Sequence, residues 1–166
     1  MTLAGSGMLA SAVDALKESL ANSATFQTLT GTANATDAKE FIYRNNVQVD
    51  GASAVDRPYA VLNHESGSSE VIGSGPTVRT TGQVFASLHF DIPSTPTDYQ
   101  NDEDADTYAQ NQGGAIAAEI MAQAHTAGRL AADSKSVDWA YIEDKESNQG
   151  EWHGSVDITF DYTTFE

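Results

Sequence analysis

Cysteine is absent from the 166 residues. That excludes a disulfide framework, a thiolate metal site and a cysteine nucleophile. Basic residues are scarce: eight Lys and Arg stand against 24 Asp and Glu, giving a formal net charge of −16. Gripping nucleic acid takes clustered cations that displace counterions from phosphates. Here Lys17, Lys39, Arg44, Arg57, Arg79, Arg129, Lys135 and Lys145 are scattered, so a DNA-gripping role is not expected. An acidic protein can still sit beside DNA that must slide past without sticking. No apolar run approaches the ~20 residues that span a bilayer, so no membrane partner is expected. The opening "MTLAGSGMLASAVDALKESL" carries Asp14, Lys17 and Glu18 and lacks the basic start of a signal peptide.

What is present suits one compact domain over residues 1–166, 40% hydrophobic. A chain of this size buries roughly 70% of its unfolded surface, so a core is feasible without staples. Leu9, Ala12, Val13, Leu16 and Leu20 recur at helical spacing and predict an amphipathic helix over 8–20, after a flexible lead 1–7. Residues 24–35 read as irregular, with Phe26 and Leu29 as core anchors. Asp37 and Glu40 have capping-box spacing, which predicts a short helix starting at 36–37. Residues 45–56 read as a loop, 57–65 as a strand whose Pro58 suits an edge or first position, and 66–76 as a flexible turn. From Val84 the chain alternates: Val84, Ala86, Leu88, Phe90 and Ile92 take one face, Phe85, Ser87, His89 and Asp91 the other. Pro93 and Pro96 end that strand. A long acidic loop over 94–110, a second main helix over 111–128 and strands over 136–143 and 151–164 complete the order. The expected fold is α+β: a single antiparallel sheet, mixed at most, of about four main strands, with two main helices packed on one face.

Candidate sites are few. Asp102, Asp104 and Asp106 match positions 1, 3 and 5 of a calcium loop, but Thr107 replaces the required Gly and Gly113 the bidentate Glu. The reading is therefore a solvated loop, with cation binding at 102–106 left open. "QGGAIAAE" lacks the spacing of a phosphate cradle, and neither G-x-S-x-G nor H-E-x-x-H occurs. The histidines are His64, His89, His125 and His153. His153, Asp157 and Asp161 share one face of the last strand, yet neighbours in that series stand ~13 Å apart. One ion cannot bridge that gap with bonds of ~2.0–2.5 Å. A metal enzyme would need His89 and Asp91 from the next strand to join His153 and Asp157. The favoured reading is the polar side of a half-buried sheet. No catalytic, cofactor-binding or metal residue is assigned, no cofactor is expected, and the chain is not read as an enzyme.

The stretch "LASAVDALKESLANSATFQTLTGTANATDAKEFIY" (9–43) resembles the start of tail terminator, or tail-completion, proteins of tailed bacteriophages. "RPYAVLNHE" and "GQVFASLHFDIP" are similar to that family's central strands, "NQGGAIAAEIMAQAHTAG" to its second helix, and "GSVDITFDYTTFE" to its last strand. The long loop at 94–110 and the acidity depart from the pattern. The resemblance implies a structural virion protein of the tail or neck, assembled in the host cytoplasm. Its implied form is a homohexameric ring that caps the tail tube, halts tube polymerisation and meets the head-closure or connector proteins. DNA would cross an acidic bore without specific binding. Another neck or adaptor protein is the alternative. Contacts are expected from residues 1–7, 45–56, 66–76 and 94–110, because long loops on a compact domain commonly serve partners.

Overall fold

The computed structural model describes residues 4–44, 57–92, 102–123, 137–144 and 152–165. Helix α1 spans Ala4–Ala21, α2 Ala24–Thr30 and α3 Ala35–Ala38. A 3-10 turn, Lys39–Phe41, leads into strand β1, Ile42–Arg44. Strands β2 (Tyr59–Val71) and β3 (Val78–Ile92) form a long hairpin. Helix α4 (Asp102–Gln123) precedes β4 (Val137–Asp144) and β5 (Trp152–Phe165).

The fold is α+β. One five-stranded sheet runs in the order β1-β2-β3-β5-β4. It is mixed, since β1 pairs with β2 in parallel while the other pairs are antiparallel. The extra strand relative to the expected four is β1, three residues long, too short for a period-2 pattern to announce itself.

The helices lie on one face, α1 against β2 and β3 and α4 against β4 and β5. The α1 stripe Ala12, Val13, Leu16 and Leu20 is buried, as are Val84, Ala86, Leu88, Phe90 and Ile92 of β3. Val156, Ile158 and Tyr162 of β5 and Ile116 and Ile120 of α4 complete the core. Each Val, Leu, Ile or Phe among them contributes roughly 1.5–3 kcal/mol by leaving water. Helix α4 comes unusually close to the sheet at Gly113. A Cβ there would stand 2.5 Å from Val156 Cγ1, so only hydrogen fits between helix and strand.

Several sequence-based boundaries shift. Residues 24–30 are helical, not irregular: Ser23 caps α2 by accepting from the Phe26 N–H, and Gly31 closes it at φ 66°. Phe26 is buried and Leu29 packs against the core, as anticipated. The cap of α3 is Asn34, whose side chain accepts from the Asp37 N–H, three residues before the Asp37–Glu40 box. The backbone of residues 4–7 already belongs to α1. Residues 66–71 are not a turn but the outer half of β2. The register shifts between His64 and Ser66, a bulge that leaves Glu65 unpaired and disguises the strand's continuity. The acidic segment from Asp102 is the start of α4, where carboxylates favour the positive end of the helix dipole. That helical backbone replaces the loop a calcium site at 102–106 would need. The 45–56 loop, residues 93–101 and the expected helix end 124–128 lie outside the described residues.

Candidate functional site

Among the described residues, the helices cover one face of the sheet and leave the other open. Strand pairing decides what shares that open face. Tyr59 stands opposite His89, and Val61 opposite Ser87. On the far side of β3, Ser87 faces Asp157, Gln83 faces Asp161 and Asp91 faces His153. The side of β3 read as Phe85, Ser87, His89 and Asp91 is therefore the open one, as its alternation implied.

Each described acid on this face has a partner. Asp91 Oδ1 accepts from Arg57 Nε at 2.8 Å. Asp161 Oδ1 accepts from Gln83 Nε2 at 2.6 Å. Asp157 Oδ1 accepts from the Ser87 hydroxyl at 2.6 Å. His89 Nε2 lies 3.3 Å from Ser87 Oγ. Since the Ser87 hydrogen is committed to Asp157, the Ser87 oxygen accepts from the imidazole N–H. The order Asp157–Ser87–His89 is thus unlike a nucleophilic triad, in which histidine takes the serine proton and the acid orients the histidine.

An aromatic ladder crosses the same face. The His89 ring stacks on Tyr59 with centroids 4.7 Å apart. Tyr59 meets Tyr43 edge-on at 6.4 Å, the T-shaped geometry that ring quadrupoles favour. Val61, on the same face, is 8% exposed although no described helix packs on that side. The face is therefore only partly the wetted carboxylate surface read from sequence. Tyr43 and Tyr59 were not picked out, because only the parallel β1–β2 pairing brings residues on either side of 45–56 together.

Of the proposed metal ligands, Asp91 is tied to Arg57, Asp157 to Ser87, and His89 lies against Tyr59. The backbone of His153 faces Asp91; its side chain, like that of His64, and the whole of His125 lie outside the described residues. Among the described residues no three His, Asp or Glu side chains gather where they could hold an ion.

Near the hairpin's middle the face dips into a groove of about 460 Å³. Two rows of short polar residues line it, Ser66–Gln83–Asp161 and Ser68–Thr81–Thr163. Gly67 and Gly82 form its floor, and the buried Tyr162 packs behind them. A Cβ on Gly82 would sit 2.6 Å from the Tyr162 hydroxyl. Burial pushes the Tyr162 phenol above its ordinary pKa.

Four of the five described cations are paired with carboxylates. Lys39 pairs with Glu18 at 2.5 Å, Arg44 with Asp14, Arg57 with Asp91 and Arg79 with Glu70. All three described arginines are thereby held by carboxylates. One further carboxylate acts inside the helical layer. Glu119 of α4 accepts from Ser23 Oγ at 2.5 Å, Thr25 Oγ1 at 2.8 Å and the Thr25 N–H at 3.2 Å. Burial raises its pKa, but these bonds and one from the Ala24 backbone outweigh that and hold it below 4.5.

No family model matches the chain, and a search of curated proteins finds no match. The reading of function therefore rests on residues and geometry.

Proposed function

We propose that the chain is a structural virion protein of the tail terminator kind. In this reading it forms a homohexameric ring that caps the tail tube, halts its growth and joins it to the head connector, with DNA passing through the bore. The carrying observation is the organisation of charge. A chain of formal charge −16 holds each described arginine in an ion pair. Such a surface has its described guanidinium groups already engaged, and its net charge repels phosphate over about a Debye length, ~8 Å at physiological salt. The one-sided layering also supports the reading. A sheet with helices on one face only keeps a broad face for neighbours, and closed rings are built from repeated contacts of that kind. His89 and the described acids of the open face serve cross-strand bonds and stacking, which supports a structural role over a metal-dependent reaction.

The test is light scattering and negative-stain microscopy of the purified chain, alone and mixed with tail tube or connector subunits. A sixfold ring, or a hexamer formed on tube ends that stops their growth, is the expected result. A five- or twelvefold assembly on a portal would instead favour another neck station. A lasting monomer that ignores both partners would sink the proposal. Duplex DNA should show no retardation by the chain at physiological salt.

A further inference from the structure

The outer half of the β2–β3 hairpin is an arm with an apolar end. Ser69 bonds Thr80 at 2.7 Å and Ser68 bonds Thr81 at 3.2 Å across it, Glu70 pairs with Arg79, and the Ile72 N–H closes the turn on the Thr77 carbonyl at 2.9 Å. Val71 and Ile72 at its end are 67% and 39% exposed, the two exposed large hydrophobics among the described residues. The segment 71–78, "VIGSGPTV", carries no charge. These two side chains are the exposed aliphatic surface that the arm can offer a partner.

We propose that this tip docks on the aromatic strip of Tyr43, Tyr59 and His89 in a second copy of the chain. The choice of occupant follows from charge. Two copies at −16 each repel one another wherever unpaired carboxylates meet. The tip is uncharged, and the acid beside the strip, Asp91, is already held by Arg57. Joining these two patches brings apolar surfaces together without opposing like charges. Geometry makes the contact intermolecular: Tyr59 and Ile72 stand 13 residues apart along one extended strand, about 40 Å. Tip and strip are different patches, so the contact is heterologous and, when its rotation closes, generates a ring. This inference rests on the ring reading and names its interface.

The lack of cysteine allows a clean test by disulfide trapping. Chains carrying Ile72→Cys and chains carrying Tyr59→Cys are mixed under mild oxidation. Covalent dimers should form only in the mixture, and the doubly substituted chain should give a ladder up to the closed ring. Tyr43→Cys serves as a second acceptor should Tyr59→Cys fail to fold. Ile72→Asp should abolish assembly while leaving the circular dichroism spectrum unchanged. Rings that form normally with Ile72→Asp, and without 72–59 or 72–43 crosslinks, overturn this interface but leave the ring reading standing. A wild-type chain that never associates overturns both. Rapid crosslinking of Ile72→Cys with itself indicates tip-to-tip contact and overturns the proposal. So does loss, in Ile72→Asp, of binding to neutral phosphatidylcholine vesicles rather than to its own kind.

Discussion

Two glycines show how a missing side chain sets the distance between layers. At Gly113 two effects oppose each other. Alanine gains roughly 1 kcal/mol of helix propensity over glycine, but its Cβ would meet Val156 Cγ1 at 2.5 Å, and overpacking of this kind costs about 1–3 kcal/mol. The clash prevails because both partners sit on rigid elements. Gly113→Ala should lower stability in urea by up to about 2 kcal/mol, and Val156→Ala should cost less in that variant than in the wild-type chain, through the coupling of touching residues. A stabilised Gly113→Ala would mean that α4 rides higher on the sheet. Gly82→Ala faces a worse obstacle, since backbone lies in the way: its Cβ would be 2.7 Å from the Ser66 carbonyl as well as 2.6 Å from the Tyr162 hydroxyl. Here β3 would have to part from β2 and the Tyr162 side chain of β5 to give way, and the loss should exceed that at Gly113.

At the scale of elements, α2 is anchored to α4 by a single carboxylate. Glu119 receives bonds from Ser23 and Thr25 at the start of α2. Its folded pKa is depressed below 4.5, so the unfolded chain binds its proton more readily. The stabilisation is then present above pH 4.5 and fades as pH falls through the lower folded value. Glu119→Gln should reduce stability at pH 7 and flatten the acid limb of a Tm-against-pH curve. A parallel, unshifted curve would show that the carboxylate is not the anchor. Much of this layer was legible in sequence, and the unread part has local causes. The α1 stripe and the β3 alternation stand out because each element buries one face over many residues. Helix α2 hid because its seven residues hold only two anchors, although Ser23 and Gly31 bracket it with the right capping chemistry. The arm hid because the Glu65 bulge and a run of Ser and Gly imitate a turn. The open face was read as polar because Tyr43 and Tyr59 become neighbours only after strands pair, and no spacing rule crosses residues 45–56.

For the whole molecule, salt acts on two opposed terms. The four ion pairs lie at the surface, with partners 34–57% exposed. Pairs of that kind contribute about 0–1 kcal/mol each and weaken as salt screens them. Against them stands the mutual repulsion of a formal −16, which acts over the whole fold. At 0.01 M salt the screening length is about 30 Å, larger than the ~15 Å radius of gyration of a compact chain this long, so every carboxylate feels every other. Near 1 M it falls to about 3 Å and only adjacent charges interact. The long-range term is the larger, because sixteen unbalanced charges outnumber four weak pairs. Raising sodium chloride from 0.01 to 1 M should therefore increase the Tm, most steeply over the first tenth molar. The same screening should promote assembly of copies, since neutral patches must approach through the field of all the rest. A Tm that falls with salt would mean that the ion pairs govern stability and that the negative charge is spread too thinly to repel, which would also remove the electrostatic basis for letting DNA pass unbound.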